Sequence, residues 1–105
     1  MNLWYHLWGI VTPDREKAKA LMTQIESERN IGVWERKDGP VQMVVQFADG
    51  VRLMWVRPTE SARGYRIGRL WCDVNTDQEI LNNVILPKYR GKTEDIVWFG
   101  GSDAD

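Results

Sequence analysis

The hydrophobic pattern of this chain changes its period once, and that change limits the folds open to it. Residues 13–30 carry apolar side chains at the spacing of one buried helix face, namely Ala18, Leu21, Met22 and Ile25. From Val33 onward apolar and polar residues alternate, which is the pattern of strands with one buried face. One long helix followed by several short strands predicts an α+β domain in which the helix covers a sheet.

Strand-like segments lie on both sides of that helix. Residues 3–11 are rich in aromatic and β-branched side chains and predict a strand buried on both faces. Five more strands are predicted at 33–36, 41–47, 51–57, 67–74 and 96–99. Asp38-Gly39 and Asp49-Gly50 separate the first three of these and favour tight hairpin turns. We therefore expect a single, mainly antiparallel sheet of about five or six strands with one long and one short helix.

The starts of both helices are predicted from capping residues. Thr12 and Pro13 suit the N-cap and the first position of the long helix, and Gly32 suits its end. Thr76 and Glu79 have the spacing of a capping box, so a short second helix should begin there. Trp4 and Trp8 are expected to pack under the long helix, opposite Leu21 and Ile25.

Length and composition indicate an ordinary globular domain. The chain has 105 residues, a formal net charge of -1 and 43% hydrophobic residues, which fits one domain over 1–99 followed by a loose tail over 100–105. No segment approaches the roughly 18 consecutive apolar residues of a membrane helix, so no membrane partner is expected. A single cysteine cannot form an internal disulfide, and we expect a cytoplasmic protein.

The sequence offers little material for catalysis or metal binding. One histidine and one cysteine are too few for a zinc site of the Cys/His kind. Asp73, Asp77 and Glu79 form the best carboxylate group, but Asp77 and Glu79 fall in the predicted first turn of a helix, where carboxylates stabilise free amides. We predict no catalytic residue, no metal and no cofactor, and hence a protein that is not an enzyme.

Positive charge is concentrated in one segment. Residues 52–69 contain five arginines and only one acidic residue, Glu60, and the planar guanidinium suits two-pronged binding of phosphate or carboxylate. The predicted ligand-binding residues are Arg57, Arg63, Tyr65, Arg66 and Arg69, with Arg63 and Arg66 as the main phosphate contacts. The alternative is structural: the arginines would pair with acidic residues such as Glu35, Asp73 and Glu79, or with those of a neighbouring subunit.

Residues 60–73, with the sequence ESARGYRIGRLWCD, carry a local resemblance. The stretch resembles the arginine-glycine loop and acidic-ended strand in the ATPase domain of phage large terminases, and a similar pattern in small phage proteins. The terminase strand ends in Asp-Glu, whereas Val74 follows Asp73 here, and this chain has no phosphate-loop lysine. The resemblance implies a phage origin and an arginine loop that contacts phosphate, without ATPase activity.

Two classes of function follow. The first is a non-enzymatic, phage-type protein that holds a phosphate-bearing ligand, either a nucleotide second messenger taken from a host defence system or a short nucleic acid. The alternative is a protein-interaction module that inhibits a host enzyme or serves phage morphogenesis through tryptophans and acidic surface. Six tryptophans are more than so small a core can bury, so a homo-oligomer is also expected.

Overall fold

A six-stranded sheet forms the centre of the part of the chain that the structure, a computed structural model, describes, residues 6–100. The strands are β1 (Leu7–Val11), β2 (Val33–Asp38), β3 (Met43–Phe47), β4 (Arg52–Val56), β5 (Arg69–Asp73) and β6 (Val97–Phe99). Their order across the sheet is β2-β3-β4-β1-β5-β6. Trp4 and most of the predicted tail lie outside the described residues.

The predicted α+β fold with a single sheet is confirmed, but the sheet is mixed. The pairs β2-β3 and β3-β4 are antiparallel, as the Asp-Gly turns predict. The pairs β1-β4, β1-β5 and β5-β6 are parallel, which differs from the mainly antiparallel expectation. The reason lies in the connections, because the strands of a parallel pair cannot be joined by a hairpin and need a crossover segment.

The long helix α1 covers Arg15–Arg29. Asp14 is its N-cap, in place of the predicted Thr12, because the Asp14 carboxylate accepts hydrogen bonds from the backbone of Glu16 (2.9 Å) and Lys17 (3.4 Å). The helix ends at Arg29, and its C-cap Asn30 has a left-handed φ of 54°, in agreement with the predicted span of 13–30. Gly32 lies two residues beyond this cap.

The short second helix also forms. Helix α2 (Gln78–Ile80) continues into a π-helix (Leu81–Ile85) and a 3₁₀ turn (Leu86–Lys88). Asp77 caps it in place of the predicted Thr76, which is buried. No helix in the described part of the chain combines the length and apolar character needed to cross a bilayer.

The two faces of the sheet are covered by different segments. On the first face α1 packs through Ala18, Met22 and Ile25 against a cluster that includes Phe47 and Leu53. Trp8 packs against the same cluster, in agreement with its predicted place under α1. On the second face the segments 60–64 and 78–88 cover a cluster that includes the buried side chains Val56, Leu70 and Ile85.

The three central strands β4, β1 and β5 run in one direction, so the sheet has one end where these strands begin and an opposite end where they finish. We call the end where they begin, at Arg52, Leu7 and Arg69, the amino edge. The end where they finish, at Val56, Val11 and Asp73, is the carboxyl edge. All the candidate residues are placed relative to these two edges below.

Candidate functional site

The predicted ligand-binding arginines do not converge on one site. Arg57 follows β4 at the carboxyl edge, whereas Arg69 opens β5 at the amino edge. On β1, Trp8 pairs with Arg69. Val11, three residues further along β1, pairs with Val56, the residue before Arg57. The two arginines are therefore four residues, or about 13 Å, apart along the strand direction alone. One small ligand therefore cannot contact both of them.

Two other candidates are held by contacts within the protein. Arg63 donates from Nε to Glu60 Oε1 (2.6 Å) and from Nη1 to the Asn83 carbonyl oxygen (3.4 Å). Tyr65 is half-buried and packs against the hydrophobic cluster of the second face. Arg63 thus follows the structural alternative, with Glu60 as a partner that was not among those expected, and it is less available to a ligand than Arg66 or Arg69.

Arg66 and Arg69 lie in a segment that the backbone holds at the amino edge. Gly68 N donates to the Leu7 carbonyl oxygen (2.8 Å), which ties the segment to the start of β1. On its other side Ile67 N donates to the Lys88 carbonyl oxygen (2.9 Å), and Arg90 N donates to that of Ile67 (2.8 Å). Residues 66–69 therefore lie between the start of β1 and residues 88–92.

This pairing collects positive charge at the amino edge. The five basic residues of the two segments are Arg66, Arg69, Lys88, Arg90 and Lys92. Within residues 6–100 no ion pair joins any of them to a carboxylate. We call this group the basic edge. The sequence predicts only the first two members, because residues 88–92 follow them by some twenty residues and only the folded backbone brings the two segments together.

An open cleft of about 370 Å³ lies at the basic edge. It is lined by Trp8, Gly68, Arg69, Tyr89, Gly91 and Asp95. A Cβ atom at Gly91 would lie 2.4 Å from Tyr89 Oη, and the Tyr89 hydroxyl is itself fixed by donating to the Lys92 carbonyl oxygen (2.7 Å). Only glycine therefore fits beside the tyrosine in this wall of the cleft.

Two tryptophan rings orient Arg69. Its guanidinium carbon is 4.7 Å from the centre of the Trp71 ring and 5.0 Å from that of Trp8. Arg29 also lies over Trp8, at 4.6 Å, but its charge is matched by Asp49 (2.6 Å). These cation–π contacts hold the guanidinium in place without using an acceptor for its N–H groups, and Arg69 has no ion pair in the described structure.

Burial and the charges in the cleft shift the pKa of Tyr89, which forms part of the cleft wall. Burial raises the pKa of its phenol, and the negative charge of Asp95 raises that pKa further, whereas the positive charge of Arg69 opposes them. Tyr89 therefore stays protonated at neutral pH. The lining of the cleft therefore carries both a negative charge, Asp95, and a positive charge, Arg69.

A second polar group lies at the carboxyl edge, and its hydrogen-bonding atoms already have partners within the protein. Asp73 is buried, and its two carboxylate oxygens accept from Thr12 Oγ1 (2.6 Å) and from Asn75 N (2.8 Å), with Lys17 Nζ at 3.7 Å. Burial alone would raise the pKa of Asp73, but these hydrogen bonds and the Lys17 charge bring it below its usual value. Because protein donors already occupy the carboxylate, we assign it a structural role.

Other potentially reactive groups do not assemble into a site. Burial raises the pKa of the Cys72 thiol to about 11, so it is a protonated packing group at neutral pH. Within the described chain no three His, Cys, Asp or Glu side chains cluster closely enough to hold a metal ion.

Comparison of the chain with protein-family models, with curated proteins and with solved structures yields no match. Residues 60–73 do form a turn followed by a strand that ends in Asp73. The resemblance of this stretch to the phage terminases, and the phage origin it implies, stay predictions.

Proposed function

We propose that this protein is a binding protein that holds a phosphate-bearing ligand in the cleft at the basic edge, with Arg69 as the principal contact. The observation that carries the proposal is the state of Arg69. Its guanidinium lies over two tryptophan rings, lines an open cleft and has no carboxylate partner among the described residues. An oriented and unpaired guanidinium is the group that binds phosphate through parallel hydrogen bonds.

The surroundings of Arg69 favour an anion with several charges. Arg66, Lys88, Arg90 and Lys92 lie on the two segments that form the basic edge. Gly68 lines the cleft and has no side chain to hinder a ligand. The charged residues of the lining are Arg69 and Asp95, and the other basic residues lie beside the cleft on the two segments of the basic edge. A phosphate group, which accepts from a guanidinium and from backbone N–H groups together, suits this arrangement better than a single carboxylate does.

The size of the cleft and the distribution of charge favour a small ligand. A volume of about 370 Å³ is in the range of sites for small molecules. With a net charge of -1, the chain as a whole lacks the strong excess of basic residues that is typical of proteins that follow a nucleic acid backbone. A nucleotide is therefore the preferred ligand, with sequestration of a nucleotide second messenger as its biological use, and a short single strand is the other source of the same phosphate chemistry.

Replacement of Arg69 by glutamine is expected to weaken nucleotide binding by about 10- to 150-fold. This range corresponds to about 1.5 to 3 kcal/mol for one charged hydrogen bond. The measurement is calorimetry of the parent and Arg69→Gln against mono-, di- and cyclic nucleotides and a short single-stranded oligonucleotide. Thermal unfolding of both proteins shows whether the variant keeps its fold.

The matched controls are Arg57→Gln and Arg63→Gln, which remove the same charge away from the cleft. Both should retain the parent affinity, because Arg57 lies at the carboxyl edge and Arg63 is paired with Glu60. Absence of binding by the parent to every probe would refute the proposal, and so would an equal loss in Arg57→Gln. Strong binding of the oligonucleotide alone would assign the cleft to nucleic acid.

A second candidate function is protein interaction, and it rests on exposed tryptophans. Trp34 on β2 is 78% exposed and Trp98 on β6 is 47% exposed. These strands are the two outer strands of the sheet. Large aromatic side chains at open edges are typical of surfaces that another chain covers.

A further inference from the structure

The outer strand β2 presents an unpaired edge. It pairs with β3 on one side only, and all six of its residues are exposed. Gly39 N donates to the Gln42 carbonyl oxygen (2.7 Å), so that pair is a hydrogen-bonded pair of the β2-β3 ladder. Because such pairs alternate, Lys37 and Glu35 bond to β3, whereas Arg36 and Asp38 direct their N–H and C=O groups outward.

The charged side chains of β2 separate onto the two faces of the sheet. On the first face Arg36 makes a two-pronged ion pair with Glu26 of α1 (2.6 and 2.7 Å), and Asp38 pairs with Arg15 (2.6 Å). Glu35 and Lys37 lie on the other face, in a shallow groove shared with polar residues of β3. Neither of them has an ion-pair partner among residues 6–100.

We propose that β2 pairs antiparallel with β2 of a second copy of this chain, with Arg36 on the two-fold axis. Residues opposite each other in an antiparallel pair point to the same face. In this register Glu35 lies opposite Lys37 of the partner subunit, and Lys37 lies opposite Glu35 of the partner subunit. The outward backbone N–H of each Arg36 donates to the outward C=O of Arg36 of the partner subunit.

Charge complementarity selects this register. A two-fold axis at Glu35 or at Lys37 would place two identical charges opposite each other, and neither of these residues has an ion-pair partner among residues 6–100 to offset the repulsion. With the axis at Arg36, the two guanidiniums that meet are each already paired with Glu26 of their own chain. Of these three registers, only the one centred on Arg36 leaves no unpaired like charges opposite each other.

Two exposed apolar side chains, Trp34 and Val41, lie at or next to this edge. The β2-β3 pairing shifts by one residue between Val33 and Glu35, which leaves Trp34 at a bulge with its ring 78% exposed. In the dimer Trp34 lies opposite Asp38 of the partner subunit, next to the turn that carries Val41, which is 60% exposed here. Because each chain has a single β2 edge and the contact joins β2 to β2, the assembly is complete with two copies.

Charge reversal tests this interface. Sedimentation of the parent over a concentration series should show a dimer of twice 12.2 kDa. Glu35→Lys and Lys37→Glu should each raise the dimer dissociation constant by about tenfold or more, since each turns two attractive pairs into repulsive ones. An equal mixture of the two variants should recover dimers, because a lysine of one chain then faces a glutamate of the other chain in both pairs.

A control variant, Glu28→Lys, makes the same charge change on the exposed side of α1 and should dimerise as the parent does. Circular dichroism of all variants reports whether they remain folded. A parent that stays at 12.2 kDa up to about 1 mM, the weak end of specific association, would overturn the proposal. It would also be overturned by dimers unaffected by either reversal, or by a mixture that stays monomeric. The cleft at the basic edge lies near β1 and β5, so nucleotide binding and dimerisation are tested separately.

Discussion

Replacing Asp73 by alanine is expected to lower the free energy of unfolding by about 2 to 4 kcal/mol, because two hydrogen-bond donors then lose their acceptor. Asp73 accepts hydrogen bonds from the Thr12 hydroxyl and the Asn75 amide, and Lys17 lies beside it. Thr12 is also fully buried, so its hydroxyl would lose its acceptor in a place that water does not reach. Urea unfolding measures the change.

The control for this prediction is Asp77→Ala, which removes an exposed carboxylate that caps α2. It should cost only about 1 kcal/mol, as a lost N-cap does. Equal losses in the two variants would show that Asp73 has no special role in joining β1 to β5.

The same carboxylate should make stability depend on pH. Its folded-state pKa is lowered, so its contribution is present above the unfolded pKa of about 3.9 and is lost as the pH falls through the folded pKa. The difference in stability between the parent and Asp73→Ala should therefore shrink below about pH 4. A difference that stays constant to lower pH would contradict a charged Asp73 in the folded state.

Replacing Trp8 by alanine is expected to cost about 3 kcal/mol of stability, at the low end for a tryptophan truncation because the ring is half-buried. The ring packs beside Trp71, with centroids 5.6 Å apart, and both Arg29 and Arg69 lie over it. Its removal leaves a cavity under α1 and takes away one of the two rings that orient Arg69.

Trp34→Ala is the matched control, since it truncates the same side chain where the ring is 78% exposed. In dilute solution, where the chain is monomeric, it should change stability by less than about 0.5 kcal/mol. Urea unfolding of both variants decides the matter, and a Trp8→Ala protein as stable as Trp34→Ala would contradict the packing of Trp8 under the helix.

The local pattern of the sequence predicted the elements of this fold well. The spacing of Ala18, Met22 and Ile25 predicted α1 and its buried face, and the two Asp-Gly dipeptides predicted the β2-β3-β4 hairpins. The parallel pairing of β1 with β4 and β5 was not predicted. A strand buried on both faces has the same composition whichever way its neighbours run, so only the tertiary crossovers determine direction.

The exact helix starts were missed for a related reason. Thr12 and Asp14 are both good caps, and the choice between them depends on Asp73, some sixty residues away, which engages the Thr12 hydroxyl. Local preferences alone do not contain that contact.

The candidate site was predicted only in part. The excess of arginine in 52–69 pointed to Arg66 and Arg69, but a net charge over a segment does not say which side chains share an edge. Strand direction separates Arg57 from Arg69, and the backbone bonds of Ile67 bring in Lys88 and Arg90. The tryptophans that orient Arg69 come from β1 and β5 and meet only in the folded sheet.

The proposed ligand site can be tested most directly by a heteronuclear NMR titration of the parent protein with adenosine diphosphate and, separately, inorganic pyrophosphate. Binding at the basic edge should shift the amide signals of Gly68, Arg69 and Gly91 and the indole signal of Trp8, all of which line the cleft. The amides of Arg57 and Ser61, in the turn that follows β4 at the carboxyl edge, should stay unchanged. Shifts confined to that turn, or no saturable shift with either probe, would contradict the assignment of the cleft as a phosphate site.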